Sequence, residues 1–161
     1  MFHPEKMNPK RLTPDQARLK IQSFCAYQER SHKEVRDKLY SFGLFKDEVD
    51  QLCTELIRDN YLNEERFAQA FASGKFRIKK WGWLKIEMQL KQKGISGHCL
   101  KQARKEIQDE EYFQVLTELA KAKGKLVKAN NLFEKKAKVA AFLAGRGFEA
   151  ELIWQVLKGE D

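Results

Sequence analysis

The sequence predicts an all-α fold, an elongated array of three tandem three-helix repeats built as helix-turn-helix-like bundles. Three observations point there. Lys, Leu, Glu, Gln, Ala and Arg abound, while only 3 of the 161 residues are proline. Capping residues and glycine stops divide the chain into helix-length pieces. And one apolar pattern occurs three times, closing each time on a glycine.

Residues 1–12 carry two prolines and no periodicity, which reads as a flexible arm. Thr13-Pro14-Asp15-Gln16 opens the first helix: Thr13 caps, Pro14 takes the first helical position and Gln16 completes a capping box. That helix extends to about Glu29, with Ala17, Ile21, Phe24 and Cys25 on one face. Ser31 and Glu34 form a second box. The helix they open carries Val35, Leu39 and Phe42 inward and stops at Gly43. A third helix begins near Lys46, with Val49, Leu52, Cys53 and Leu56 apolar, and ends at Asn60.

Asn63 caps a fourth helix, whose first turn holds Glu64 and Glu65 against the helix dipole. Phe67, Ala70, Phe71 and Ile78 are its expected inward residues. The segment Lys79–Trp83 breaks it near Gly82. The fifth helix carries Leu84, Ile86 and Leu90 and stops at Gly94. Ser96 caps the sixth, with Leu100, Ala103 and Ile107. Asp109 is expected to cap the seventh, which holds Phe113, Leu116, Leu119 and Ala120. Residues 122–131 are polar and read as frayed helix or loop. The eighth helix takes Lys135 to Leu143, and the ninth Glu149 to Leu157, with Trp154 packed inside.

The repeat sets the architecture. Val35, Leu39, Gly43, Leu44, Val49 and Leu52 share their spacing with Ile86, Leu90, Gly94, Ile95, Leu100 and Ala103. Val139, Leu143, Gly147, Phe148, Ile153 and Val156 repeat it again. Each copy is a helix, a glycine stop, an apolar plug in the turn, and a second helix, with a further helix upstream. A bundle of about 50 residues buries little surface alone, so serial copies are expected to support one another. The division reads as repeat 1 over 13–62, repeat 2 over 63–108 and repeat 3 over 109–161, an elongated shape suited to an extended groove.

Charge is unevenly placed. The net charge is +8, yet residues 63–108 hold 11 Lys and Arg against 4 Asp and Glu, while the flanking stretches are near balance. Arg66, Lys75, Arg77, Lys79, Lys80, Lys85, Lys91, Lys93, Lys101, Arg104 and Lys105 are the cations of this middle repeat. Trp81 and Trp83 lie among them on either side of Gly82. Together these residues form a candidate surface for a polyanion or an acidic protein groove. One tryptophan is expected to plug the core and the other to stand out as an anchor. The plainer alternatives are a solvated basic helix face and two core tryptophans.

The motifs Asn63-Glu64-Glu65-Arg66-Phe67-Ala68, Lys80-Trp81-Gly82, Ile86 with Leu90, and Lys93-Gly94-Ile95 resemble those of the RecX family, modulators of the recombinase RecA. Arg146-Gly147-Phe148 is similar to the turn of that family's last repeat, and the likeness covers about residues 14–158. Trp83 departs from it, where many members have proline. The resemblance implies three tandem three-helix repeats and binding in the groove of a RecA–DNA filament, lowering strand exchange, ATP hydrolysis and co-protease activity. The expected protein is a monomeric, cytoplasmic regulator of DNA repair and the SOS response.

Catalysis finds no support. Gly74-Lys75 is followed by Phe76 and lacks the glycine of a phosphate loop. His98 and Cys99 are adjacent on a helix and point about 100° apart. His3, His32, His98 and the three cysteines show no metal-ligand spacing. No catalytic residue, metal or cofactor is expected, the cysteines read as reduced and buried, and no run of 18 apolar residues spans a membrane. The alternative function is direct DNA binding by tandem helix-turn-helix units through the basic middle repeat. The third and ninth helices are too acidic for that, which leaves the sixth, with Lys101, Gln102, Arg104 and Lys105, as reader.

Overall fold

In the computed structural model, residues 11–159 are described, and among them are nine α-helices and no strand. They are α1 (Pro14–Tyr27), α2 (His32–Ser41), α3 (Lys46–Arg58), α4 (Glu64–Arg77), α5 (Trp83–Gln92), α6 (Gly97–Lys105), α7 (Asp109–Leu126), α8 (Leu132–Gly145) and α9 (Ala150–Lys158). No helix is long and apolar enough to cross a membrane. Residues 1–10 of the expected arm, His3 among them, lie outside the described residues.

The repeat pattern maps onto packing. All fifteen of its apolar residues are buried, and none exceeds 8% exposure. Gly43, Gly94 and Gly147 all adopt positive φ, at 85°, 78° and 99°. Each is followed by a buried plug, Leu44, Ile95 or Phe148. Thr13, Ser31, Asn63 and Ser96 cap as the sequence predicts, and Asn131, in a stretch expected to be frayed helix or loop, caps as well. Thr13 and Gln16 make the reciprocal capping box. Ser31, Asn63, Ser96 and Asn131 accept the backbone N–H three residues on.

The chain divides into two compact units. Of the described residues, the first comprises those from Arg11 to Phe67 together with Lys93–Ile95. Its core is formed by α1, α2 and α3: Ala17, Ile21 and Cys25 meet Val35, Leu39, Val49, Leu52 and Leu56. Arg11 and Leu12 are not loose, contrary to the reading of an arm through residue 12. The Leu12 N–H donates to the Phe42 carbonyl at 3.0 Å, and Arg11 Nε donates to the Gly43 carbonyl at 2.9 Å. Arg11 also pairs with Glu48.

The second unit comprises Ala68–Gln92 and the described residues from Ser96 to Gly159. Here the backbone of residues 82–84 lies directly on the turn that closes α8. The Gly82 N–H donates to the Arg146 carbonyl at 2.8 Å and the Leu84 N–H to the Gly147 carbonyl at 3.0 Å. A Cβ on Gly82 would stand 2.3 Å from the Gly147 carbonyl carbon, so only glycine permits the approach. Beside it Tyr112 is fully buried, with its ring centroid 5.6 Å from Phe76 and 5.2 Å from Phe148. The Tyr112 hydroxyl accepts from the Trp83 N–H at 2.8 Å and donates to the Glu149 carboxylate. Burial and the Glu149 hydrogen bond raise its pKa well above the ordinary phenol value, so it stays a neutral donor.

Several expectations are corrected. On α4 the buried face is Phe67, Ala68, Ala72 and Phe76, whereas Ala70 is exposed and Ile78 is 78% exposed. On α5 Trp83 is buried and Leu84 is half exposed. Tyr112 takes the place expected of Phe113, because its hydroxyl finds partners that remove the cost of burying it. Gln108, not Asp109, is the N-cap of α7, and Asp109 is the first helical residue. The helix continues through the polar stretch to Leu126, and α8 begins at Leu132 rather than Lys135. Trp154 is 45% exposed, since α9 turns Ile153, Val156 and Leu157 inward instead.

Cys25, Cys53 and Cys99 are free and buried. Burial pushes the Cys25 thiol up to about 11. The folded state therefore favours the neutral thiol. That contribution is intact below the unfolded value of about 8.5 and is lost as pH rises through the folded value.

Three outcomes are expected. Gly82→Ala forces two backbones apart and should cost about 2–3 kcal/mol in urea unfolding, the scale of an overpacked core; an unchanged midpoint would refute the close approach. Tyr112→Phe keeps the rings and removes the hydroxyl, stranding the Trp83 N–H, at about 1–3 kcal/mol; a loss near zero would show water replacing it. Native chain at pH 8 should react with iodoacetamide at Cys25 far more slowly than urea-unfolded chain, since a thiol near 11 is about one part in a thousand thiolate. Equal rates would contradict that shift.

Candidate basic interaction surface

The thirteen candidate residues separate by what their head groups touch. In the first unit Arg66 is bound within the chain. Its guanidinium pairs with Glu29 and donates to the Asn60 carbonyl at 3.0 Å and the Tyr61 carbonyl at 3.3 Å, closing the turn after α3. Lys93 lies 3.4 Å from Glu34.

In the second unit three more cations are committed internally. Arg77 meets the Glu111 carboxylate at 3.3 Å and also bonds Ser73 and the Glu106 carbonyl. Arg104 donates to the Ile107 carbonyl at 2.8 Å and to Asp109 at 2.9 Å, with its guanidinium 5.1 Å from the Tyr112 ring centroid. Lys91 pairs with Glu87 one turn back at 3.2 Å. The Arg77 and Arg104 contacts tie elements together, the Lys91 pair lies within α5, and all three leave less of each cation for a partner.

Of the remaining residues, Lys75 and Lys85 converge on Trp81, which is half-buried in the connector between α4 and α5. Lys75 of α4 places its ammonium 5.0 Å from the Trp81 ring centroid, and Lys85 of α5 approaches it to 4.4 Å. Each such contact contributes about 0.5–1 kcal/mol at an exposed site. Lys79 and Lys80 lie in the connector itself and are exposed. Among the described residues no carboxylate pairs with Lys75, Lys79, Lys80 or Lys85. Lys80 has φ 56°, a left-handed conformation that costs a non-glycine residue about 1–2 kcal/mol. Bonds on both sides hold it there: the Ile78 N–H reaches the Gly74 carbonyl at 2.9 Å before it, and the Trp81 N–H reaches the Lys75 carbonyl at 3.1 Å after it.

Trp83 does not belong to the exposed set. It is buried, its indole N–H donates to Glu87 at 3.0 Å, and its backbone N–H donates to Tyr112. A proline there would have no N–H for that bond. Of the two tryptophans, one is therefore core and one is partly open, and their places are set by which flank of Gly82 each occupies. Lys101 and Lys105 are exposed on α6, apart from the Trp81 cluster in sequence and without a carboxylate partner among the described residues.

Two residues that build this site are not among the thirteen. Arg146 supplies the carbonyl on which Gly82 rests, and its guanidinium lies 5.5 Å from the Phe142 ring centroid. Its Nε is buried with no hydrogen-bond partner among the described residues. Its place before a repeat glycine was the signal that could have marked it. Tyr112, which positions the start of α5, carried none beyond its place in an apolar stretch. No group of His, Cys, Asp and Glu that could hold a metal occurs among the described residues.

Comparison with known proteins places this geometry. A family model described as RecX, second three-helix domain, matches residues 63–103, and another described as RecX, third three-helix domain, matches residues 109–157. A regulatory protein RecX of Lactobacillus gasseri is 34% identical over 143 residues, covering 86% of this chain and 51% of that protein. One from Chromobacterium violaceum is 29% identical over 131 residues, covering 81% of this chain and 82% of that protein. The chain spans about half the length of the Lactobacillus gasseri relative. The crystal structure of RecX from Lactobacillus salivarius superposes with a TM-score of 0.82 over 91% of this chain and 95% of that one, at 21% identity, which speaks to the fold. Two family models that tile consecutive repeats, the matching relatives and the shared all-helical fold together make this chain a member of the RecX family.

Proposed function

We propose that the chain is a non-enzymatic regulator that binds the nucleoprotein filament formed by RecA on single-stranded DNA. It lowers recombinase, ATPase and co-protease activity in DNA repair and the SOS response, and acts in the cytoplasm as a monomer. Its working division is three repeats, over 13–62, 63–108 and 109–161. Family membership supports the regulatory role, and the resemblance of its motifs supplies the partner.

The observation that carries the choice of surface is the partition of cations. Lys75 and Lys85 bracket Trp81 while Lys79 and Lys80 occupy the same connector, and none of the four meets a carboxylate among the described residues. Such a cluster offers mobile charge around an aromatic anchor, a combination enriched where proteins bind anionic partners. Direct reading of duplex DNA by α6 has weaker support. Arg104, the cation best suited to bidentate base contact, is already held by Ile107 and Asp109, which leaves Lys101 and Lys105 as point charges.

Charge reversal of Lys79, Lys80 and Lys85 together should weaken inhibition of the RecA ATPase by about tenfold or more, with helicity retained by circular dichroism, and the loss should shrink as salt rises. Unchanged inhibition would remove this surface from the mechanism. Reversal of Lys101 and Lys105 should leave inhibition intact; if it abolished inhibition along with duplex binding, the DNA-reading alternative would stand instead.

A further inference from the structure

A second surface, in the first unit, carries its own signature. Between α1 and α2 runs a groove of about 580 Å³. Its apolar lining includes Phe24 and Phe42, both half-buried, and Leu19 and Tyr27, which are 69% and 82% exposed. These four apolar side chains adjoin one groove, and a grouped apolar patch edged by polar residues, rather than scattered exposed side chains, is what marks a docking surface. The cations on its walls are Lys20, Arg30 and Lys38, and no carboxylate lines it.

Ion pairing in this unit singles the groove out. Every other described Lys or Arg of the unit reaches a carboxylate: Arg11, Arg18, Lys33, Arg36, Lys46, Arg58, Arg66 and Lys93 each lie within 4.0 Å of one. The three cations without such a partner among the described residues are the three on the groove. Arg30 is nevertheless positioned. Its Nε donates to the Phe24 carbonyl at 3.0 Å, and its guanidinium lies 3.7 Å from the Phe24 ring centroid. Lys38 stands 5.6 Å from that ring and 5.7 Å from Phe42. The guanidinium is thus pre-organised, which lowers the entropy cost of forming a fork to a carboxylate.

We propose that this groove docks an acidic, amphipathic peptide segment of a partner protein, whose carboxylates pair with Lys20, Arg30 and Lys38 while an apolar side chain packs on Leu19 and Tyr27. Peptide fits better than nucleic acid here. A nucleobase needs an open aromatic face to stack on; the Phe24 ring already has the Arg30 guanidinium and the Lys38 ammonium against it, which leaves Tyr27 as the open ring on the groove. Leu19 and Tyr27 ask for an apolar side chain beside anionic groups that meet Lys20, Arg30 and Lys38, a pairing that an acidic amphipathic peptide supplies. This surface uses none of the cations invoked for filament binding, so it stands or falls separately from that reading.

The test is fluorescence anisotropy on the full chain with three labelled probes. One is an amphipathic peptide of about 15 residues, long enough for helix formation, with glutamates on one face and leucine and phenylalanine on the other. The second replaces its glutamates by lysines, and the third is a short single-stranded oligonucleotide. The acidic peptide should bind at least about tenfold tighter than its lysine counterpart and lose about tenfold with Lys20→Glu plus Lys38→Glu. Leu19→Ala, an exposed change that leaves the core alone, should also weaken it several-fold. Acidic-peptide binding indifferent to these substitutions, or no preference over the lysine peptide, would overturn the proposal. So would an oligonucleotide whose affinity falls with Lys20→Glu plus Lys38→Glu while the acidic peptide's does not.

Discussion

The second unit depends on one backbone-to-backbone approach, that of Gly82 on Gly147. A helix end leaves carbonyls without partners, and the turn after α8 presents two of them, from Arg146 and Gly147. The chain entering α5 satisfies both with the N–H groups of Gly82 and Leu84. Neither a Cβ on Gly82 nor one on Gly147 would fit, because each would stand within 2.4 Å of a neighbouring atom. The effects spread outward from that contact. The Trp83 N–H is brought to the Tyr112 hydroxyl, that hydroxyl reaches Glu149, and Glu149 is the N-cap residue of α9. Trp81, one residue upstream of the contact, is held between Lys75 and Lys85.

The first unit uses the same device with different residues. There the segment before α1 lies on the turn after α2, and the Leu12 N–H donates to the Phe42 carbonyl as Gly82 does to Arg146. Phe42 and Arg146 are equivalent, each immediately preceding a repeat glycine. The physical reason is common to both. A positive-φ glycine ends the helix and turns its last carbonyls outward, where an extended segment can satisfy them. This accounts for the order in residues that composition alone marks as loose.

Charge acts in two ways in this chain. Cations that find carboxylates are structural: Arg18 with Glu55, Arg36 with Asp50, and Arg66 with Glu29 cross between elements of the first unit, and Arg77 with Glu111 does so in the second. The carboxylates of Asp50 and Glu55 are drawn below their usual range by those partners, Asp50 first by Lys46 and then by Arg36. Among the cations that find none, Lys75 and Lys85 lie beside Trp81, and Arg30 and Lys38 beside Phe24. Net charge by segment counts both kinds alike, which is why a sum over residues 63–108 overstates how much of that charge is free to meet a partner.

Much of the fold was legible because its signals are local. A Thr or Ser three residues before Gln or Glu, a glycine at the end of an apolar stripe, and six offsets repeated three times each act within a turn or two of helix. The sequence by itself therefore determined the helices, most caps, the glycine turns and the triplicated core. It could not decide between Tyr112 and Phe113, or between Trp81 and Trp83, or find Phe76. Those outcomes rest on groups 29 to 37 residues away in sequence, the Tyr112 hydroxyl for Trp83 and the Glu149 carboxylate for Tyr112. Burial of a polar-tipped ring is favourable only once its partner is in place, and that is settled by tertiary packing. The same holds for the candidate site. Which lysines exist was written in the chain, but which of them keep their charge available was decided by where the folded chain put its carboxylates.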